Sequence, residues 1–141
     1  MDNTEFKKLL QVCTEKVGFK YYKKNYYYEN EKIIIAIDAQ KSNYDNSYYI
    51  NYGFWVKAIH DNSGYPKITD CDIMGRFRDN SNDNFQLLNL DSNKLMECIN
   101  SNLSNIIIPV INEGIQKYFD LFPEAICMAK LKLKAYLEAR E

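Results

Sequence analysis

One set of polar residues in the chain has side chains that suit the recognition of a partner or a ligand. The set contains a carboxylate, two amides, an indole and a guanidinium: Asp38, Gln40, Asn51, Trp55 and Arg76. An arginine beside amides and a carboxylate can bind planar polar groups through paired hydrogen bonds. If the strands that carry them are neighbours, these residues share one face of a sheet. The competing interpretation is a hydrogen-bonded network that only holds the strands in register.

Acid–base or metal chemistry would depend on very few other side chains. His60 is the only histidine, and we predict that it is exposed, without the orienting partner that His chemistry needs. Asp70 and Asp72 lie two residues apart, and we predict that they are solvated charges that protect a sheet edge. A hard cation would need more oxygen ligands than this pair supplies. We therefore expect no catalytic residue, no metal site and no cofactor.

The cysteines and the apolar runs predict where the protein is found. Cys13, Cys71, Cys98 and Cys127 are scattered and show no spacing typical of a disulfide framework or a zinc site. We expect four reduced, buried thiols. The longest apolar run, residues 106–111, is far shorter than the ~20 residues that span a bilayer. These features predict a cytoplasmic protein that makes no contact with a membrane.

Composition limits the classes of partner. The chain has 141 residues, a formal net charge of −1 and 46% hydrophobic residues, as expected for one globular domain. Phosphate binding needs many Lys and Arg residues, so this charge disfavours nucleic acid. Residues 19–28 nevertheless interleave lysine with tyrosine, as a platform for single strands does. The adjacent Glu29 and Glu31 favour the alternative, a two-stranded ribbon with one packed face.

The first part of the chain predicts a helix followed by a hairpin. Apolar residues with helical spacing indicate a helix over about residues 4–17, which Gly18 ends in the left-handed conformation. Two short strands follow, Phe19–Lys23 and Tyr26–Glu29. We predict a tight turn at Lys24-Asn25 between them, because Asn tolerates a positive φ.

Two long strands come next. Residues 33–40 and 48–59 alternate between two faces and are rich in β-branched and aromatic side chains. The polar turn at 42–46 predicts that they pair in antiparallel. Their apolar face should be buried against the helices: Ile33, Ile35, Ile37, Ile50, Tyr52 and Phe54. A further, shorter strand is predicted from Asp70 to Arg78, and residues 79–84 are predicted to form a loop.

The last third of the chain has a helical pattern. Asp91 or Ser92 can cap a second helix. The buried stripe of this helix is predicted to be Leu95, Ile99, Leu103, Ile106 and Val110. Pro109 lies inside this pattern and should kink or end the helix, because proline removes one hydrogen bond. A final helix is predicted from Pro123 to about residue 138.

These elements predict the fold class. The fold is α+β: an antiparallel β-sheet meander of four to five strands, with an N-terminal helix and C-terminal helices packed on one face. The other face is expected to be more polar. No repeat or linker interrupts the chain, so we predict a single domain over residues 1–141.

Several fragments of the chain resemble one known family. The fragments are Gln40-Lys41-Ser42, a short turn, Tyr48-Tyr49-Ile50-Asn51-Tyr52-Gly53, then Cys71-Asp72-Ile73 with Arg76-Phe77. Together with the preceding GFKYYKKNYYYE, they resemble the bacterial family called "domain of unknown function 4304". The resemblance implies an α+β fold and supplies no catalytic residues.

The sequence predicts binding rather than catalysis. We expect a non-catalytic domain that binds another protein, with an immunity-type protein that neutralises a bacterial toxin as the leading version. The abundance of Tyr and the acidic middle of the chain support this, since residues 61–93 hold three basic and six acidic residues. The alternative is a small-molecule or nucleotide-binding domain, or an enzyme, that uses the polar face around Arg76. The sequence carries no signal about oligomeric state.

Overall fold

An antiparallel sheet packed against helices forms the fold in the computed structural model, which describes residues 1–62 and 64–140. The strands are β1 Lys20–Tyr22, β2 Asn25–Glu29, β3 Ile33–Lys41, β4 Ser47–Val56, β5 Ile73–Arg76 and β6 Phe85–Gln86. Their order is β1-β2-β3-β4-β5, with β6 beside β4, and each pairing is antiparallel. The α+β meander predicted from the sequence is confirmed.

The helices lie at the two ends of the described chain. They are α1 Asn3–Val17, α2 Ser92–Asn102, α3 Ile108–Glu113, α4 Gln116–Leu121 and α5 Leu131–Ala139. The Asp2 side chain caps α1 by accepting from the Glu5 backbone N–H, and Gly18 ends the helix with φ 107°. This capping stabilises a helix that buries Phe6 and Leu10 against the sheet. None of the described helices is both long and apolar enough to cross a membrane.

The pairing of β3 with β4 fixes which residues face the helices. Ile35 pairs with Phe54, and Ile37 pairs with Tyr52. All four side chains are buried in the main core, as the alternating pattern predicted. The predicted strand over residues 48–59 was too long. β4 ends at Val56, because residues 57–59 turn into a 3-10 helix.

The hairpin between β1 and β2 turns one residue earlier than predicted. Tyr22 pairs with Asn25, so Lys23 and Lys24 form the turn, with φ values of 48° and 72°. The register explains the difference. Tyr26 faces the main core, and a slip of one residue would move it to the opposite face. Asn adopts a positive φ more readily than Lys does, but core packing decides where the turn lies and places it at the two lysines.

The two prolines of the helical region have different effects. The predicted apolar stripe of α2 and of the turns after it is buried. Of the two predicted effects of Pro109, a kink or an end, the end does not occur, because residues 103–107 form a π-helical turn and the helix continues as α3. This wider turn changes the hydrogen-bond register at the place where a proline ring would otherwise clash with a carbonyl. Pro123 opens a separate 3-10 helix, Pro123–Met128, so α5 starts only at Leu131.

The sheet face opposite the helices is divided into two halves. The connection from β4 to β5 folds over one half and buries a second apolar cluster: Tyr27, Ile34, Ala36, Trp55, Ile68 and Cys71. A Cβ on Gly53 would lie 2.7 Å from the Cys71 side chain, so glycine permits this close approach. The expectation of a polar second face is therefore wrong for this half. The other half stays open.

Candidate functional site

The register of the sheet brings four of the five predicted site residues together on the open half. Asp38 pairs with Asn51, and Asn51 pairs with Arg76 on the next strand. The Asn51 amide donates to Asp38 Oδ1 and to Gln40 Oε1, each at 2.9 Å. Arg76 Nε donates to Asn51 Oδ1 at 3.0 Å. The side chain of Asn51 therefore lies at the centre of a network that spans three strands.

Two further contacts hold the Arg76 guanidinium in place. Its Nη1 group donates to Asp83 Oδ2 at 3.2 Å, and its central carbon lies over the Tyr49 ring, 4.0 Å from the centroid. The sequence reasoning missed both partners. Tyr49 lies two residues from Asn51 and thus on the same face of β4, so the alternation contained this signal. Asp83 comes from a loop, and no pattern in the sequence points to it.

We name this surface the Arg76 patch. Its members lie on the open half of the sheet or on the loop beside it: Asp38, Gln40, Tyr49, Asn51, Met74, Arg76 and Asp83. Met74 pairs with Gly53 on this face and is 46% exposed. Burial raises the pKa of Asp38, opposed by the hydrogen bond from Asn51 and the charge of Arg76. Two carboxylates and one guanidinium give the patch a slightly acidic balance.

Trp55 lies on the same sheet face but outside this network. Its ring is 7% exposed and belongs to the cluster beneath the β4–β5 connection. The His60 ring stacks on it with a centroid distance of 3.5 Å. Trp55 thus supports the covered half of the face, and a role for it in binding stays a prediction.

His60 is the residue whose surroundings differ most from expectation. The prediction of an exposed histidine is wrong, because its side chain is only 12% exposed. His60 Nε2 lies 2.9 and 3.0 Å from the two carboxylate oxygens of Asp72. Asp72 is 1% exposed and also accepts from the Val56 backbone N–H, so it is no solvated edge charge. Asp70 is exposed, as predicted.

The four thiols differ in burial, and burial affects the protonation of two of them. Cys13 and Cys71 are buried as predicted, whereas Cys98 is half-buried and Cys127 is exposed. Burial raises the pKa of Cys71 to about 12 and that of Cys98 to about 11, so both stay protonated at neutral pH. Within residues 1–62 and 64–140, no group of three or more His, Cys, Asp or Glu side chains is arranged to hold a metal ion.

Three of the clefts on the described surface are large. The largest of these three, about 670 Å³, lies between the start of β3, the end of α3 and α5. A second, about 500 Å³, lies beside α2, and a third, about 390 Å³, lies beside Trp55 and Tyr65. Arg76 lines none of these three clefts. The Arg76 patch is therefore a surface with fixed polar groups rather than the wall of one of these cavities.

Comparison with known proteins gives one result. A search of curated proteins and a search of solved structures each found no significant match. The family model described as "Domain of unknown function (DUF4304)" matches residues 12–113, which include the whole sheet and every member of the Arg76 patch. Because this match extends over more than half of the sequence, the chain belongs to that family.

Proposed function

We propose that this domain is a non-catalytic protein-binding module whose recognition surface is the Arg76 patch. The observation that carries the proposal is the fixed, accessible guanidinium. Arg76 is 38% exposed although Asn51, Asp83 and Tyr49 all hold it. A side chain that is already ordered loses little conformational freedom on binding. Arg, Tyr and Met are also residue types enriched in protein interfaces.

The shape of the patch supports a protein over a small ligand. Small molecules are bound mainly in concave sites that enclose most of their surface. Arg76 lines none of the three clefts described above. An accessible sheet face with an ordered arginine and a neighbouring tyrosine instead suits a partner that presents a broad surface of its own.

The charge around the patch indicates the kind of partner. Asp38 and Asp83 outnumber the single guanidinium, and residues 61–93 hold six acidic residues against three basic ones. A partner with a basic contact surface would be attracted, which mainly accelerates encounter. Our leading version is a bacterial, cytoplasmic immunity-type protein that neutralises a toxin. The non-catalytic surface and its acidic surroundings support this version.

A second candidate function rests on His60 and Asp72. A carboxylate that accepts a hydrogen bond from an imidazole orients the ring, as acid–base catalysis and ligand binding require. The stacked Trp55 borders the cleft of about 390 Å³. The same geometry suits a structural role, because it ties the end of β4 to the start of β5. The alternative of a small-molecule or nucleotide-binding domain, or an enzyme, depends on this site or on the face around Arg76.

Affinity capture tests the proposal. The protein serves as bait in a bacterial lysate, next to Arg76→Ala and the matched control Arg78→Ala, whose side chain is exposed and donates to the Ser81 carbonyl at 3.4 Å. We expect one protein to be retained by the wild type and the control and lost with Arg76→Ala. Expression of the retained protein alone should slow bacterial growth, and co-expression of the bait should restore normal growth. Capture that is equal with Arg76→Ala contradicts the proposal.

A further inference from the structure

The hairpin between β1 and β2 presents lysine and tyrosine side chains at the edge of the sheet opposite β5. We name this surface the Tyr–Lys tip. It comprises residues of the hairpin and one residue of the β4–β5 connection: Lys20, Tyr22, Lys23, Lys24 and Tyr65. We propose that the Tyr–Lys tip is a second docking surface, which binds an acidic segment of a partner protein.

The first observation is the turn itself. Lys23 and Lys24 both have positive φ, 48° and 72°, in a two-residue hairpin. Such turns strongly prefer Asn-Gly or similar pairs, because a side chain with a Cβ is strained in this conformation. Two consecutive lysines are therefore a costly choice for the fold. Packing of the core requires a turn at these two positions but does not require lysine there, so the choice of lysine points to a use for the two ammonium groups.

The second observation is the ordered aromatic group beside the turn. The Tyr65 ring lies flat on Tyr27, with centroids 4.5 Å apart, and the edge of Tyr22 meets Tyr65 at 5.8 Å. Tyr27 is buried and donates from its hydroxyl to the Pro66 carbonyl at 2.8 Å, which fixes the connection against the sheet. Tyr22 and Tyr65 remain 48% and 45% exposed. They are stiff aromatic surfaces at an accessible site.

The third observation is charge. In the part of the chain that the structure describes, Lys20, Lys23 and Lys24 take part in none of the ion pairs. The Lys23 ammonium lies 5.3 Å from the centre of the Tyr22 ring. Three cations beside two exposed rings complement carboxylates that are interspersed with apolar side chains.

The surrounding charge favours an acidic protein segment over nucleic acid. Base stacking needs free ring faces, and Tyr27 already covers one face of Tyr65. A long polyanion would also meet Asp38, whose charge lies near Tyr27, and a chain of net charge −1. A short segment with few carboxylates avoids this repulsion.

A variant that relieves the strain separates binding from folding. Lys23→Asn with Lys24→Gly installs the preferred turn and removes two charges. We expect it to raise Tm by about 3 °C and to weaken binding of an acidic peptide at least about fivefold. The probe is a fluorescein-labelled peptide of glutamates interrupted by leucines, followed by anisotropy. The control is Lys8→Gln with Lys16→Gln on α1, which removes the same amount of positive charge at another place on the surface. This variant should bind the peptide as the wild type does.

Three comparisons decide the outcome. Saturable, salt-sensitive binding that is lost in the turn variant and kept in the α1 variant and in Arg76→Ala supports the proposal. Equal binding by the turn variant overturns it, as does equal binding of a peptide with glutamine in place of glutamate, or no saturable binding. Tighter binding of a thymidine oligonucleotide than of the peptide identifies a nucleic-acid platform instead. If the turn variant does not fold, Lys20→Gln with Lys23→Gln provides the same comparison.

Discussion

Asp70 and Asp72 are two positions apart in the sequence, and their surroundings are opposite. Asp70 is exposed, whereas the carboxylate of Asp72 is buried and contacts the Val56 N–H and the His60 ring. Removing a buried carboxylate leaves its partners without an acceptor. We predict that Asp72→Ala lowers the free energy of unfolding by about 3 kcal/mol. Asp70→Ala should change it by no more than about 0.5 kcal/mol.

Urea denaturation of the two variants checks this prediction. An equal effect of the two substitutions would show that the His60–Asp72 contact contributes little to the stability of the fold.

The charge of Asp38 should lower the stability of the fold while it attracts a basic partner. Burial raises its pKa, so the folded chain holds the proton more tightly than the unfolded chain does. Protonated Asp38 therefore stabilises the folded chain fully at pH values below the ordinary pKa of an aspartate. This contribution is lost as the pH rises through the raised pKa that Asp38 has in the folded chain. Asp38→Asn should therefore raise the free energy of unfolding at neutral pH, by less than about 1 kcal/mol because the side chain is partly exposed.

The same substitution should flatten the dependence of stability on pH in the acidic range and weaken binding of a basic partner. Thermal unfolding from about pH 4 to about pH 8 measures the first effect. A less stable Asn variant at neutral pH would mean that the charge of Arg76 outweighs the burial of Asp38.

At the scale of elements, Gly53 allows the β4–β5 connection to lie on the sheet. A Cβ at this position would meet the Cys71 side chain at 2.7 Å inside the second apolar cluster. We predict that Gly53→Ala destabilises the fold by about 2 kcal/mol, because a packed site cannot take the extra methyl group. Its thermal unfolding should show a lower Tm. An unchanged Tm would mean that the connection is free to move away from the sheet.

The elements also show what could be predicted from the sequence. Alternation predicts the two long strands and the face on which each side chain lies, so Asp38 and Asn51 are expected on the face away from the helices. The strand order and register that bring them beside Arg76 do not follow from the sequence, because alternation does not say which residues pair. The fold of residues 57–62 and 64–72 over that face was not predictable, because irregular segments have no periodicity. This one segment explains the misjudged burial of His60 and Asp72 and the separation of Trp55 from the Arg76 patch.

At the scale of the whole molecule, charge on the loop beside β5 should govern the encounter with a basic partner. Asp79 is exposed and Asp83 contacts Arg76. We predict that Asp79→Lys slows association and flattens its salt dependence while dissociation stays unchanged. Asp83→Lys should also speed dissociation, because it repels the guanidinium. Surface plasmon resonance at several salt concentrations separates the two rates. Unchanged association in both variants would exclude electrostatic steering by this loop.

The central claim is that a protein partner docks on the Arg76 patch, and calorimetric titration of the captured partner tests it most directly. Arg76→Ala should weaken binding by about 2 kcal/mol or more, roughly thirtyfold, because it removes the ordered centre of the surface. Arg78→Ala should bind within about twofold of the wild type. Equal affinity of the wild type and Arg76→Ala would contradict the claim. A small molecule that raises Tm only when Arg76 is present would replace it with a ligand-binding function.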